Sequence, residues 1–279
     1  MVRAPDSASE PISHGGFDAA ADRYDADEHG NDVLAHLRER VFAQLCRAFE
    51  PGSRLIELGS GTGTEAARLV SERGCRLALV DVAPRMLERA SAKVRRADPE
   101  GLLGAHLVRA RSVRRLTAVH DRASFDGAYS SLGPLNCEPR LEPVAEGLAE
   151  LVRPGGALVL SVINRWCPAE VLWFAAHGQW REAARRWDGP VQAASYPGGP
   201  KDVTTWYYSR RAIARAFAPG FRVEHAEALP LLWPPPYLDF LVARRRRLFA
   251  RLLPIERWAA TRALLRDLGD HTLLRLRRQ

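Results

Sequence analysis

The 279-residue sequence is short of several things, and each shortage removes a class of function. It has no run of about 18 apolar residues, so no transmembrane helix is expected. The opening residues, MVRAPDSASEPISHGG, lack the apolar core of a secretory signal and read as a flexible lead-in over 1–16. Four cysteines, Cys46, Cys75, Cys137 and Cys167, are too few and too scattered for a disulfide framework. They read as buried thiols, and a reducing, cytoplasmic setting is expected. The eight histidines include no H-x-x-x-H or similar ligand pair, so no metal is expected. Lysine is nearly missing: only Lys93 and Lys201 occur, and the other basic residues are arginine. A GC-rich coding sequence favours arginine without any functional demand.

The net charge of +8 is local. Residues 244–279 hold eleven arginines and three acidic residues, which accounts for all of it. The remainder is balanced, so the basic pI alone argues for no nucleic-acid partner. Hydrophobic content of 46% and charged content of 27% are those of an ordinary globular chain.

Along the chain, apolar residues recur at helical and strand periods in alternation. DVLAHLRERVFAQLCRAF (32–49) carries Val33, Leu34, Leu37, Val41 and Leu45 at helical spacing, and Pro51-Gly52 stops it. RLIEL is a short strand that runs into Gly59-Ser60-Gly61-Thr62-Gly63. A helix over 64–74, a strand over 75–82 and a helix over 84–97 with Pro84 in its first turn follow. Further strands are read at 104–110, 124–131 and 157–164, with a helix at 142–152 before the last of them. Helix 210–218 and strand 221–229 follow later. Such alternation implies a parallel sheet with helices on both faces. Residues 165–208 break the rhythm with five tryptophans and read as two short helices around Gly178. The triple proline 234–236 opens a helical tail to about 268, and DHTLLRLRR reads as a last strand.

The glycine loop carries the strongest chemical signal. Glycines permit positive φ and close approach of a ligand to the backbone. The helix starting near Thr64 turns its free N–H groups toward the loop. A dinucleotide fingerprint would put glycine where Thr64 stands. Glu57, two residues before Gly59, suits an ammonium group and opposes a pyrophosphate. Asp81, at the end of the second strand, can accept ribose hydroxyls in either case.

ELGSGTG, VDVAPRMLERA, FDGAYSSLGPLN and LVRPGGALVLSVINRW, in this order, resemble the successive motifs of class I S-adenosylmethionine-dependent methyltransferases. The resemblance covers roughly 15–165 and implies an α/β Rossmann-like seven-stranded sheet whose last strand is antiparallel. It implies S-adenosylmethionine as cofactor and one domain over 17–279, with insertions at 165–208 and 234–268. By position, Glu57, Gly59, Ser60, Gly61 and Gly63 would line the methionine part. Asp81 would take the ribose, and Val82 and Met86 would border the adenine. Ser130 and Leu132 would flank the methionine end, and Phe17 and Tyr24 would close over the cofactor. Many members carry an Asp after the third strand that bonds the adenine amino group. Here Val108-Arg109-Ala110-Arg111 stands instead, leaving the adenine to backbone groups near Ala110 or to Arg111 or Ser112.

The expected reaction is methyl transfer to a small, apolar-bodied acceptor, of specialised-metabolite, quinone-like or lipid-like type, under a tryptophan-rich lid. Asn136, Asn164 and Tyr207 are candidate acceptor contacts. His14, His177 and His225 are candidate catalytic histidines. An NAD-linked oxidoreductase and a non-catalytic or membrane-associated module on the same fold are the rival readings. In the tail, Leu241, Val242, Leu248, Phe249, Leu252 and Leu253 form an apolar stripe. Arg244, Arg246, Arg247 and Arg251 oppose it, and Arg245 intrudes. Packing on the domain with a solvated arginine face is the first reading. Weak contact with an anionic membrane surface is the second. No RNA-binding appendage is present, so no nucleic-acid partner is expected. The oligomeric state is not legible.

Overall fold

The computed structural model describes residues 14–28, 30–192 and 203–279. The first thirteen residues, His29 and the stretch 193–202 with Lys201 lie outside the described residues, as does the side chain of His14. Among the described residues the helices are α1 (His14–Ala20), α2 (Tyr24–Glu28), α3 (Asp32–Ala48), α4 (Thr64–Arg73), α5 (Pro84–Ala97), α6 (Glu142–Leu151), α7 (Pro168–Ala176), α8 (Trp180–Ala184), α9 (Arg210–Phe217), α10 (Asp239–Ala243) and α11 (Arg246–Ala260). The strands are β1 (Arg54–Leu58), β2 (Arg76–Asp81), β3 (Leu102–Leu107), β4 (Phe125–Ser130), β5 (Val152–Ile163), β6 (Val191–Gln192), β7 (Thr204–Thr205), β8 (Phe221–Leu229) and β9 (His271–Arg278).

Seven strands form one sheet in the order β3-β2-β1-β4-β5-β9-β8. Strands β1 to β5 pair in parallel, and β9 runs antiparallel to both β5 and β8. Successive side chains of a strand point to opposite faces, so each buried strand feeds two cores. Ile56, Leu58 and Val80 join Phe125, Leu148 and Phe217 on one face. Leu55, Leu77 and Leu79 join Leu37, Leu45 and Leu69 on the other. This explains why the strands read as nearly continuous apolar runs.

Local chemistry fixes the element ends. The Asn31 side chain accepts from Leu34 N–H and caps α3, a contact worth about 1 kcal/mol. Gly63 and Gly74, both left-handed, bracket α4. Pro84 opens α5, where a missing N–H costs nothing.

Three readings change. Strand β3 starts at Leu102 and stops at Leu107, and residues 110–118 form 3₁₀ turns. Arginines at 109, 111, 114 and 115 obscured that short-period pattern. The helical tail breaks between α10 and α11 and gives way to turns after Ala260. Its stripe is therefore interrupted: Phe249 and Leu253 pack on the core, whereas Leu248 is half exposed. The tail is tied to α3, with Val33 N–H donating to Asp239 (2.9 Å) and Arg246 pairing with Asp32. No helix among the described residues is long and apolar enough to cross a membrane.

The two insertions are joined to the sheet by one buried ionic knot. The Arg186 Nε donates to Glu170 Oε1 at 2.8 Å, and its Nη1 donates to the Asn164 carbonyl at 2.7 Å. The same guanidinium pairs with Asp270. Arg185 adds a second contact to Glu170, and the Tyr237 hydroxyl donates to it as well. Removing Arg186 leaves two buried carboxylates short of a partner, so Arg186→Ala is expected to cost about 3–5 kcal/mol. Arg185 is more exposed and leaves Glu170 paired, so Arg185→Ala should cost about 1 kcal/mol or less. Urea denaturation of the two variants measures the difference.

Candidate functional site

A cavity of about 440 Å³ opens at the carboxyl ends of the parallel strands. It sits where the strand order reverses between β1 and β4, the usual ligand position of such sheets. The glycine loop, Asp81, Val82 and Met86 line it. Phe17 and Tyr24 cover it, and Ala110 and Leu132 complete this end.

The three loop glycines do different jobs, though all have positive φ. A Cβ on Gly59 would fall 2.1 Å from Pro134 Cβ, and one on Gly63 would fall 2.7 Å from Ala90 Cα. Both are needed by the fold. A Cβ on Gly61 would meet nothing within 4 Å. Its backbone is the part of the loop left open to a ligand.

Asp81 ties the glycine loop to the turn that precedes α5. Its carboxylate accepts from Gly61 N–H (2.8 Å), Val82 N–H (2.7 Å) and Ala83 N–H (2.9 Å). The N-terminal helices are latched to this region. Asp18 accepts from Arg85 N–H at 2.9 Å, and Asp25 takes Thr62 Oγ1 and Lys93 Nζ. The sequence reading found Phe17 and Tyr24 but missed these two aspartates. Their signal was only their place in FDAAADRYD.

Glu57 is 2% exposed, and one of its carboxylate oxygens has no hydrogen-bond partner. It lies beside Tyr129 across the β1–β4 ladder. Burial, followed by the nearby Glu65 charge, pushes its carboxyl well above the usual range. Burial likewise raises Asp81. This end of the cavity is electronegative and under-satisfied, and it suits a cationic ligand group.

At the other rim stands Glu138. Its carboxylate accepts from Arg111 N–H (3.3 Å), and its second oxygen accepts no hydrogen bond. It lines the cavity beside Ala110, and burial raises its carboxyl. Arg111 itself does not line the cavity. Glu138 comes from the turn after β4, so no reading of the β3 segment could have found it.

Several expected positions are structural. Ser130 is fully buried and donates to the Leu58 carbonyl (2.9 Å), so Ser131 and Leu132 reach the cavity instead. Leu132 holds a left-handed φ of 59°, and Gly133 follows at 98°, which turns the chain sharply there. Asn136 borders the cavity, but its side chain is spent on Ile163 N–H (2.8 Å), the Ile163 carbonyl (3.0 Å) and the Trp206 carbonyl (2.6 Å). Asn164 donates to the Trp166, Asp267 and Gly269 carbonyls and lies outside the lining. Tyr207 does face the cavity. His177 bonds the Trp173 carbonyl on the surface, and His225 sits between Gln44 and Glu227; neither lines the cavity.

The lid expectation needs correction. No tryptophan lines the cavity. Trp180 is 69% exposed, and Trp166 and Trp187 pair with each other outside, with ring centres 5.4 Å apart. The insertion turns its polar side inward instead, through Arg185, Arg186, Thr205 and Tyr207. The second insertion adds Tyr237, Asp239 and Phe240. Ionic anchoring to the sheet edge selects which side faces in. Among the described residues no group of three His, Cys, Asp or Glu side chains is placed to hold a metal.

The profile of the methyltransferase domain family matches residues 26–226, most of the chain. The chain belongs to this family and is a class I S-adenosylmethionine-dependent methyltransferase domain. S-Adenosylmethionine is the methyl donor of this class. The chain is 32% identical over 164 residues to demethylmenaquinone methyltransferase of Beutenbergia cavernae, covering 57% of this chain and 62% of that one. It is 30% identical over 165 residues to malonyl-[acyl-carrier protein] O-methyltransferase of Serratia marcescens, covering 58% and 57%. Each match thus spans less than two thirds of the relative's length. Among solved structures, an S-adenosylmethionine-dependent methyltransferase from Mesorhizobium loti aligns with a TM-score of 0.52 at 22% identity, covering 87% of this chain and 98% of that one. Geranyl diphosphate C-methyltransferase from Streptomyces coelicolor aligns at 0.55 and 15% identity, covering 87% and 76%. These likenesses show the fold.

Gly61→Arg should abolish S-adenosylhomocysteine binding by calorimetry and keep a cooperative melt. Gly63→Ala should lose stability beyond the roughly 1–2 kcal/mol of left-handed backbone strain, because its Cβ meets backbone. For Glu57, a ligand ammonium favours the ionised carboxylate, whose folded pKa is raised in the free protein. Binding should therefore release a proton, and affinity should rise with pH up to that pKa. Calorimetry in buffers of different ionisation heat reads the release, and Glu57→Gln should remove it.

Proposed function

We propose that the protein transfers the methyl group of S-adenosylmethionine to a small acceptor with an apolar or ring-bearing body. The observation that carries this reading is the continuity of one cavity. It runs from the glycine loop, past Leu132 and Gly133, to a wall of Ile163, Tyr207, Tyr237 and Phe240. A non-catalytic cofactor-binding module would have no need of that second chamber.

The bound cofactor supplies a methyl carbon already activated by a sulfonium. The protein's own share is alignment and exclusion of water. Glu57 holds the amino end, with the Gly61 backbone beside it. Asp81 keeps lone pairs for the ribose hydroxyls while anchoring the loop. The latched helices α1 and α2 close Phe17 and Tyr24 over the cofactor. The Glu138 oxygen that accepts no hydrogen bond takes the adenine amino group, replacing the family's usual Asp from a different loop. An ammonium group gains from ionising Glu57 and a pyrophosphate does not, which disfavours the NAD reading.

Relatives that act on demethylmenaquinone and on malonyl-[acyl-carrier protein] support an acceptor of hydroquinone, phenol or carboxylic type. The aromatic far wall favours the first two. The test is transfer of label from methyl-tritiated S-adenosylmethionine to 1,4-dihydroxynaphthalene, 2-naphthol and a malonyl thioester. Label in an organic product supports the reading. Tight NAD binding with no S-adenosylhomocysteine binding would sink it. For Glu138, wild type should prefer S-adenosylhomocysteine over its hypoxanthine analogue, which offers a carbonyl in place of the amino group. Glu138→Gln should lose most of that preference, at least about tenfold.

A further inference from the structure

Of the histidines singled out from the sequence, His177 and His225 do not line the chamber, yet another imidazole does. His271 opens β9 and is 6% exposed. Its register partners are Ile163 on β5 and Leu229 on β8. Ile163 in turn packs against Gly133, where a Cβ would stand 3.1 Å from Ile163 Cγ1. His271 is thus one side chain away from the Leu132-Gly133 turn at the methionine end.

The ring is held on one edge only. Its Nδ1 lies 3.0 Å from Asp270 Oδ2. The approach is off the ideal hydrogen-bond axis, as catalytic contacts often are before substrate binds. Asp270 is itself pinned: Arg186 pairs with its Oδ1, and its backbone carbonyl takes Arg186 Nη1 (3.1 Å) and Asn164 N–H (2.8 Å). Burial alone would raise the Asp270 carboxyl, but Arg186 and His271 outweigh it and hold it well below the usual range. A carboxylate fixed against Nδ1 selects the tautomer with the proton there. Nε2, with no hydrogen-bond partner among the described residues, keeps its lone pair.

The surroundings do not swamp this pair. Glu170 and Asp270 are balanced by Arg185 and Arg186. Tyr207, Tyr237 and Asp239 also line the chamber, and burial raises both tyrosine hydroxyls, so these two stay neutral.

We propose that His271, oriented by Asp270, is the general base for an acceptor that presents an O–H group. This rests on the methyl-transfer reading. The acceptor hydroxyl gives its proton to Nε2 as its oxygen lone pair forms the bond to the methyl carbon. The S–CH₃ electron pair stays on sulfur, and S-adenosylhomocysteine leaves. The imidazolium then returns its proton to solvent.

The test uses the full chain saturated with S-adenosylhomocysteine. Calorimetry comes first: His271→Gln and Asp270→Asn should bind it within about threefold of wild type. Failure of wild type to bind would overturn the methyl-transfer reading and not the state of the ring. Nitrogen-15 histidine NMR then reads the ring directly, with His271→Gln assigning the signal. The expected result is the Nδ1–H tautomer with bare Nε2, and a loss of that tautomer preference in Asp270→Asn. An Nε2–H tautomer overturns the proposal. For a naphthol or dihydroxynaphthalene that wild type methylates, His271→Gln should lower kcat about 10²–10⁴-fold, leave KM for S-adenosylmethionine unchanged and remove the acidic limb of the pH profile. Equal kcat overturns it. Asp270 also pairs with Arg186, so its variant is read only if its melt stays cooperative, and His271→Gln carries the test otherwise.

Discussion

The guanidinium of Arg186 holds the two insertions against the sheet. It reaches Glu170 from the first insertion, the Asn164 carbonyl at the end of β5, and Asp270 beside β9. Through Glu170 the contact extends to Tyr237 of the second insertion. A buried charge is costly unless each donor and acceptor around it is matched. That demand gives the knot its value as a specifier. Only one seating of α7, α8 and the 236–243 segment satisfies two carboxylates, two backbone carbonyls and a phenol together. The wall of the chamber is therefore placed by polar satisfaction, and the tryptophans around it are left to the outside.

The cavity has two electrical characters. At the loop, Glu57, Glu65 and Asp81 form a carboxylate cluster in which burial keeps the first and third from ionising freely. Such a site gains most from a ligand that brings positive charge with it, because the ligand relieves a cost already present in the free protein. At the chamber, Arg185 and Arg186 face Glu170 and Asp270, with Asp239 on the wall of the second insertion, so the region is polar and its charges are mostly matched. The loop end thus favours a cationic group, and the far chamber offers shape and hydrogen bonding. The Leu132-Gly133 turn, with two successive left-handed residues, marks the border between the two.

Legibility in the sequence followed the range of the forces involved. Strands β1, β2, β4 and β5, helices α3 to α6 and the loop rest on local period and local chemistry, and they were read to within a few residues. Gly61 could be named as a ligand position, but its difference from Gly59 and Gly63 depends on Pro134 and Ala90, which are distant in the chain. The same holds for Asn136 and Asn164. Asparagine after a strand reads equally as a ligand contact or a staple, and only the positions of the Ile163, Trp206 and Gly269 carbonyls decide. The tryptophans misled for a related reason. Aromatic content signals burial on average, but a short insertion anchored by ions can bury its charges and expose its rings.

Strand direction explains why the end of the chain reaches the chemistry at all. A parallel seventh strand would bring its carboxyl end to the active edge and would begin on the opposite side of the sheet. Because β9 is antiparallel to β5, its first residue arrives beside Ile163, the last residue of β5. The turn before it, Gly269-Asp270, packs against the Ala228–Pro230 backbone so closely that a Cβ on Gly269 would lie 2.6 Å from Leu229 N. Asp270 is thereby fixed between Arg186 on one side and His271 on the other. A sequence scan weighs Asp-His at the start of a terminal strand as an edge of no consequence. The reversal of one strand turns that edge into the rim of the acceptor chamber.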